Sequence, residues 1–255
     1  MSTNNETKIN RLLQMIPTGV VLASSWLTQQ GYSRDLQQRY IKGGWLSPIG
    51  RGAFIRKGDE VDVFGALYCI QTQLKKNMHI GGRSALGLQG LSHYVEIYQK
   101  EYILFAQRGT RVPQWFLNNV WNSKPQLIFT EILPPESGLI AYNTGSFPIL
   151  ISSPARALLE CLYLAPARFD LLEAYQIMEG LASLQPKPVQ DLLEQCSSVK
   201  TVRLFLYLAE KTAHPWFRHI DASKLKLGNG KRSIVENGIY VPKYKITIPS
   251  DIATL

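Results

Sequence analysis

Arg34, Gln38 and Lys42 follow one another at four-residue intervals, so a helix would carry all three on one side. Arginine and glutamine are the side chains that pair bidentately with guanine and adenine edges in a major groove, and lysine neutralises phosphate. Gln37 sits beside them. Further on, Arg51 stands in the run Gly50-Arg51-Gly52 and Arg56 follows it, a pattern that sets one guanidinium at the tip of a hairpin and the other at its base. Together these six residues, Arg34, Gln37, Gln38, Lys42, Arg51 and Arg56, have the chemistry of duplex recognition: base edges read from a helix, phosphates held from a loop.

The elements that would position them are legible around them. Ile9, Leu12, Leu13 and Ile16 form the apolar stripe of a first helix, ended by Pro17-Thr18-Gly19. A second helix is expected from about Leu22 to Gln30 with Leu22, Trp26 and Leu27 inward and Gly31 closing it. Ser33 is a fitting N-cap for a third, in which Leu36 and Tyr40 face the core. Gly43-Gly44 stops that helix, and Trp45 to Arg56 reads as two short strands about a Gly-rich turn. Three helices and a hairpin make a winged helix-turn-helix over residues 1–57. A winged helix used for protein contact, with its basic face in water, is the plainer alternative.

Charge supports the first reading. Residues 1–57 hold eight cations against Glu6 and Asp35, a net of +6 of the chain's +9. Residues 59–199 hold ten cations and thirteen acids, and residues 200–245 hold ten cations against Glu210, Asp221 and Glu236. Two basic ends therefore flank an acidic middle, and each is a candidate surface for a polyanion or an acidic protein. In the second region Lys200, Arg203, Lys226, Lys231, Arg232 and Lys243 are the candidates for such a contact, with RNA or with a protein partner.

Nothing in the chain spells out catalysis. Cys69, Cys161 and Cys196 lie far apart in apolar contexts, which suggests core thiols and neither a disulfide framework nor a zinc site. His79, His93, His214 and His219 lack metal-ligand spacing, and Gly228-Asn229-Gly230-Lys231-Arg232-Ser233 departs from the phosphate-loop pattern and falls among β segments. Gly81-Gly82-Arg83-Ser84 could cradle an anion at a helix start, although a tight turn with Ser84 as N-cap explains it as well. No nucleophile elbow or carboxylate pair is present, so the expectation is a non-enzyme with no cofactor and no metal. The absence of an apolar run near the ~18–20 residues of a membrane span, together with a polar amino terminus, points to the cytoplasm.

At 255 residues two domains are expected, the second running from 58 to 255 and divisible near 150. Asp59-Glu60-Val61-Asp62 suits the first turn of a helix reaching about Lys76, with Val61, Phe64, Leu67 and Tyr68 inward. A helix from Ala85 to about Leu91 follows, then strands at Val95–Tyr98, Tyr102–Phe105, Gln126–Ile132, Gly138–Tyr142 and Pro148–Ser152. Helices are expected at about Pro154–Tyr163, Asp170–Glu179, Pro188–Cys196 and Val199–Lys211, then short β segments around Gly228-Asn229-Gly230 and Glu236-Asn237-Gly238, the latter a hairpin signal. The fold class is α+β: an amino-terminal winged helix-turn-helix and a larger mixed α/β part.

Four stretches of that larger part carry a resemblance: HIGGRSALGLQGLSHYV from His79, SSPARALLECLYLAP from Ser152, CSSVKTVRLFLYLAEK from Cys196 and LGNGKRSIVENGIYVPKYKITIP from Leu227. In their order and spacing, with the winged helix in front, they resemble the AbiEi family of antitoxins. The resemblance implies a type IV toxin-antitoxin, or abortive-infection, pair whose toxin is a nucleotidyltransferase. It implies a winged helix that represses the pair's own promoter and a carboxy-terminal domain that opposes the toxin. The chain departs from the family at Ser153-Pro154-Ala155-Arg156-Ala157, where the family has Ser-Pro-Glu-Arg-Ala. Apart from the resemblance, a transcription factor whose larger part senses a small molecule is the rival, and a nucleic-acid-processing enzyme a third reading.

Overall fold

The structure is a computed structural model that describes residues 3–91 and 101–254. Helix α1 (Thr3–Met15) buries Ile9 and Leu12, with Ile16 just beyond its end, as the stripe predicts. Leu22 departs from expectation. The run Val20-Val21-Leu22 is buried throughout, and a chain that must hide successive side chains does so as a strand more readily than as an amphipathic helix. Accordingly β1 (Leu22–Ala23) precedes a shortened α2 (Ser24–Gln29). After α3 (Arg34–Lys42), β2 (Leu46–Gly50) and β3 (Ala53–Arg56) form the wing. Strand β3 lies between β1 and β2 and is antiparallel to both.

The edge of β1 is completed by a side chain. The Gln73 amide donates to the Val21 carbonyl at 2.9 Å and accepts from the Ala23 N–H at 2.8 Å, the two bonds that a neighbouring strand would supply. Gln73 closes a π-helical turn (Cys69–Gln73) that continues α4 (Val63–Tyr68). The expected helix over 59–76 is thus shorter at its start, because the acids are used otherwise: Asp62 caps α4 by accepting from the Gly65 N–H at 3.0 Å, and Asp59 accepts from the Gly19 N–H at 2.8 Å.

Beyond it come β4 (Met78–Ile80), α5 (Gly82–Leu88), β5 (Glu101–Ala106), α6 (Gln114–Asn118), β6 (Lys124–Phe129), β7 (Leu139–Asn143) and β8 (Pro148–Ser152). The five strands form one sheet in the order β6-β5-β4-β8-β7, with β5 parallel to β6 and β4 parallel to β8. The strand expected at Val95–Tyr98 lies outside the described residues, while β4 and α6 are too short to show a period in the sequence.

Four helices follow: α7 (Pro154–Leu164), α8 (Leu171–Gly180), α9 (Pro186–Gln195) and α10 (Val199–Lys211). Ser153 caps α7 through its hydroxyl, with proline in the first turn. Inside α7 the Arg156–Glu160 pair, 2.9 Å apart, is buried. Glu160 also accepts from the Ser152 hydroxyl at 2.7 Å and from the Gly82 N–H at 2.9 Å. The anion at the start of α5 is therefore the protein's own carboxylate, and Gly81, not Ser84, occupies the cap position. Arg156 further donates to the carbonyls of Pro134, Pro135 and Ser137, so one ion pair ties a helix start, a strand end and a loop together.

The chain closes with β9 (Arg232–Ser233), β10 (Ile239–Val241), β11 (Ile246–Ile248) and α11 (Ser250–Thr254). Strand β11 runs between the other two, antiparallel to β10 and parallel to β9. The hairpin is consequently β10–β11, turning at Pro242 to Lys245. Asn237-Gly238 does not make it, because β9 and β10 flank the same strand and do not pair.

Two compact units result. The first comprises 1–79, 100–129 and 141–150; the second comprises 80–99, 130–140 and 151–255. The winged helix thus shares a unit with later segments of the chain. Among the described residues no helix is long and apolar enough to cross a membrane.

Candidate nucleic-acid interface

Helix α3 owes its place to a cap and an anchor. The Ser33 hydroxyl accepts from the Leu36 N–H at 3.3 Å, Asp35 lies in the first turn, and Arg39 and Lys42 lie in the last, each suited to the helix dipole. Leu36 and Tyr40 are buried, which turns Arg34, Gln38 and Lys42 outward, all exposed. None of these three has an ion-pair or side-chain hydrogen-bond partner among the described residues.

The wing brings a fourth side chain to the same place. Gly50 and Ala53 are paired across a two-residue tip, Arg51-Gly52, with Gly52 at φ 79° in the region that favours glycine. An open groove of about 850 Å³ lies between helix and wing, bordered by Ser25 and Thr28 of α2, Arg34 and Gln38 of α3, and Arg51 and Gly52 of the wing. No acidic side chain borders it, so its field favours an anion. Lys42 stands outside the groove at the far end of α3. Ser25 and Thr28 are the additions; no spacing in the sequence set those hydroxyls apart.

Two of the six expected residues are spent elsewhere. Gln37 is 1% exposed. Its amide donates to the Ser24 and Tyr32 carbonyls at 3.2 and 2.8 Å and to the Thr28 hydroxyl at 3.1 Å, while its oxygen accepts from the Ser24 hydroxyl at 2.6 Å. It fastens α2 to α3 and has no capacity left for a base. The signal was present: position 37 is three before Tyr40, on the inward side of the helix. Arg56 donates to the Leu13 and Ile16 carbonyls at 2.7 and 3.0 Å. It caps the end of α1, whose last carbonyls would otherwise lack partners, and does not reach outward as a phosphate ligand.

The second basic region divides in the same way. Arg203 is 2% exposed. Its guanidinium meets the carbonyls of Leu227, Gly228, Gly230 and Lys245 at 2.8, 2.9, 2.7 and 3.2 Å, and burial lowers its pKa from the ordinary arginine value. Lys200 donates to the Tyr163 and Ala165 carbonyls at 2.8 and 2.5 Å, and burial lowers its pKa as well. Lys243 pairs with Glu210, which also accepts from the Tyr244 hydroxyl at 2.9 Å. Lys200 and Arg203 hold the fold and are withdrawn as contact candidates, whereas Lys243 is exposed and engaged with Glu210 in a surface pair. Lys226, Lys231 and Arg232 remain exposed. The Lys231 ammonium lies 4.9 Å from the ring centre of the half-exposed Tyr240, an aromatic neighbour that charge counting does not reveal.

Comparison with known proteins adds three findings. A family model described as "Transcriptional regulator, AbiEi antitoxin N-terminal domain" matches residues 5–97. A second, "Transcriptional regulator, AbiEi antitoxin, Type IV TA system", matches residues 99–249. Among solved structures, that of the RV2827C protein from Mycobacterium tuberculosis is similar over 89% of this chain and 85% of that one, with a TM-score of 0.57 and 14% identity, a likeness of fold alone. No curated protein matches the sequence.

Proposed function

Because the chain belongs to the AbiEi antitoxin family of transcriptional regulators in type IV toxin-antitoxin systems, we propose that it represses the promoter from which it is expressed and opposes a nucleotidyltransferase toxin. The observation that carries the first half is the acid-free groove with Arg34, Gln38 and Arg51 on its walls. In this reading α3 enters the major groove, Arg34 and Gln38 meet base edges, and Lys42 and Arg51 neutralise phosphates on either side. Residues 1–57 are the reading segment, and the chain works by binding, without a chemical step of its own. Opposition to the toxin falls to the larger part, where Lys226, Arg232 and Lys231, the last beside Tyr240, are exposed groups suited to an acidic partner.

Binding of the full chain to its promoter DNA, followed by fluorescence anisotropy against salt, tests the reading. Replacing Arg34 and Gln38 together by alanine should cost ~1–3 kcal/mol per contact, about 2–6 kcal/mol in all, on the cognate sequence and narrow its preference over unrelated DNA. Arg51→Ala should weaken all duplexes alike and lower the slope of log K on log salt by about 0.9. Promoter affinity that both variants leave at the wild-type value would remove the groove from DNA binding. For the second half, charge reversal at Lys231 and Arg232 should abolish rescue of cells expressing the toxin while promoter binding stays intact.

A further inference from the structure

Gly50 ends β2 immediately before the wing tip, and another part of the chain is seated against it. A Cβ placed on Gly50 would stand 2.8 Å from the Trp115 Cβ and 3.2 Å from the Trp115 Cα, closer than packed atoms approach. Trp115 is 5% exposed and belongs to α6. Its ring packs with those of Phe116 and Trp121 at centroid distances of 6.1 and 6.5 Å, and the Trp121 indole donates to the Phe116 carbonyl at 2.9 Å. The segment that carries Trp115 therefore has a fixed station at the wing, within the same compact unit.

That segment is basic. From Tyr102 to Thr130 the sequence contains Arg108, Arg111 and Lys124 and no acidic residue. Arg108 and Arg111 are exposed, and neither has an ion-pair or side-chain hydrogen-bond partner among the described residues. Arg108 also repeats the geometry of the wing tip. The turn Gln107-Arg108-Gly109-Thr110 is closed by the Thr110 N–H to the Gln107 carbonyl at 3.1 Å, and Gly109 has φ 80° against 79° at Gly52. In both turns an arginine precedes a glycine that reverses the chain, and the arginine is left in solvent. Arg111 stands four residues before Trp115, so its Cα lies within about 14 Å of the Trp115 Cα at full extension. That is less than half of a ~34 Å duplex turn.

From this juxtaposition we propose that the DNA held by the winged helix continues past the wing onto the segment before α6, where Arg108 and Arg111 bind phosphates of the duplex. The inference rests on the DNA-binding reading above. Arg108 sits on a turn and Arg111 on a stretch without regular secondary structure, with no helix to enter a groove, so they hold backbone and read no bases. The neighbouring reader selects a polyanion: the compact unit carries fourteen of the chain's 28 cations and six of its 19 acids.

The test compares the full wild-type chain with R108A/R111A, R108K/R111K, R51A and R34A/Q38A on promoter DNA and on an unrelated duplex of equal length, at several salt concentrations. R108A/R111A should bind both duplexes on the order of tenfold more weakly, with the salt slope lower by about 1.8. R108K/R111K should restore the slope, and hydroxyl-radical protection should shorten at one edge of the site. Matching thermal melting curves would show that the exposed substitutions leave the fold intact. If R108A/R111A keeps wild-type affinity and slope while R51A is weakened, the inference is overturned and the DNA-binding reading stands. The same holds if that variant binds DNA normally and loses only toxin neutralisation, which would make the segment a protein contact. If R51A and R34A/Q38A also bind as wild type, the reading itself falls and takes the inference with it.

Discussion

A buried guanidinium, carboxylate or amide must find partners inside the protein, since water is no longer available to it. Arg156 and Glu160 meet that demand in α7. Ala155 is buried, and the carboxylate that pairs with Arg156 comes from Glu160, one turn later. Glu160→Ala should lower stability to urea by ~3–5 kcal/mol, since it leaves Arg156 charged and the Gly82 N–H without its acceptor. Replacing both by apolar residues of similar size should cost less than the single change, and comparing the two midpoints at equal m-value checks this. The same demand explains why Gln37, Arg56, Lys200 and Arg203 could not be told from surface residues by type alone. Each is polar, and each is consumed by backbone carbonyls that lie 5 to 43 positions away in sequence.

At the scale of elements, long periodic helices and capped starts were readable and short connecting pieces were not. Helices α3, α7, α8 and α10 lie close to the expected spans; Ser33 and Ser153 cap the first two as expected, and the structure adds Asp170 and Ser198 as caps of the others. Strand β1 was hidden because its register depends on Phe54 and on the Gln73 side chain, neither of which is local. The β10–β11 hairpin was misplaced for a similar reason: a strong local turn, Asn237-Gly238, lost to a pairing set by the buried Ile246 and Ile248. This hairpin is tied to α10 through Glu210. Burial alone would raise that carboxyl, but Lys243 and the Tyr244 hydroxyl outweigh it and hold it below the ordinary value. With the folded pKa depressed, the tie stabilises fully above the unfolded value of about 4.3 and is lost as pH falls through the folded one. In an acid titration followed by NMR, signals of β10 and β11 should shift only below the ordinary glutamate range, and Glu210→Gln should abolish that step.

For the whole molecule, the asymmetry of charge follows the compact units better than it follows the sequence. The middle of the chain is acidic on average, yet Arg108, Arg111 and Lys124 belong to the unit that contains the winged helix. That unit is assembled from three stretches of chain, so an excised reader should be impaired. A fragment of residues 1–57 should melt lower than one of residues 1–79, which regains Gln73 beside β1, and neither should match the full chain because Trp115 is missing from the wing. Equal melting temperatures for all three, by circular dichroism, would count against this account. The interleaving also sets an order in time. A ribosome adds roughly 5–20 residues per second, so the stretch from Lys57 to Leu150 takes roughly 5–20 s to emerge. During that interval the helices of the reader exist without the Trp115 that backs the wing or the last strand of their unit. If the DNA-binding proposal holds, a nascent or prematurely ended chain would bind DNA poorly, and occupancy of an operator would report molecules whose synthesis has passed the sheet.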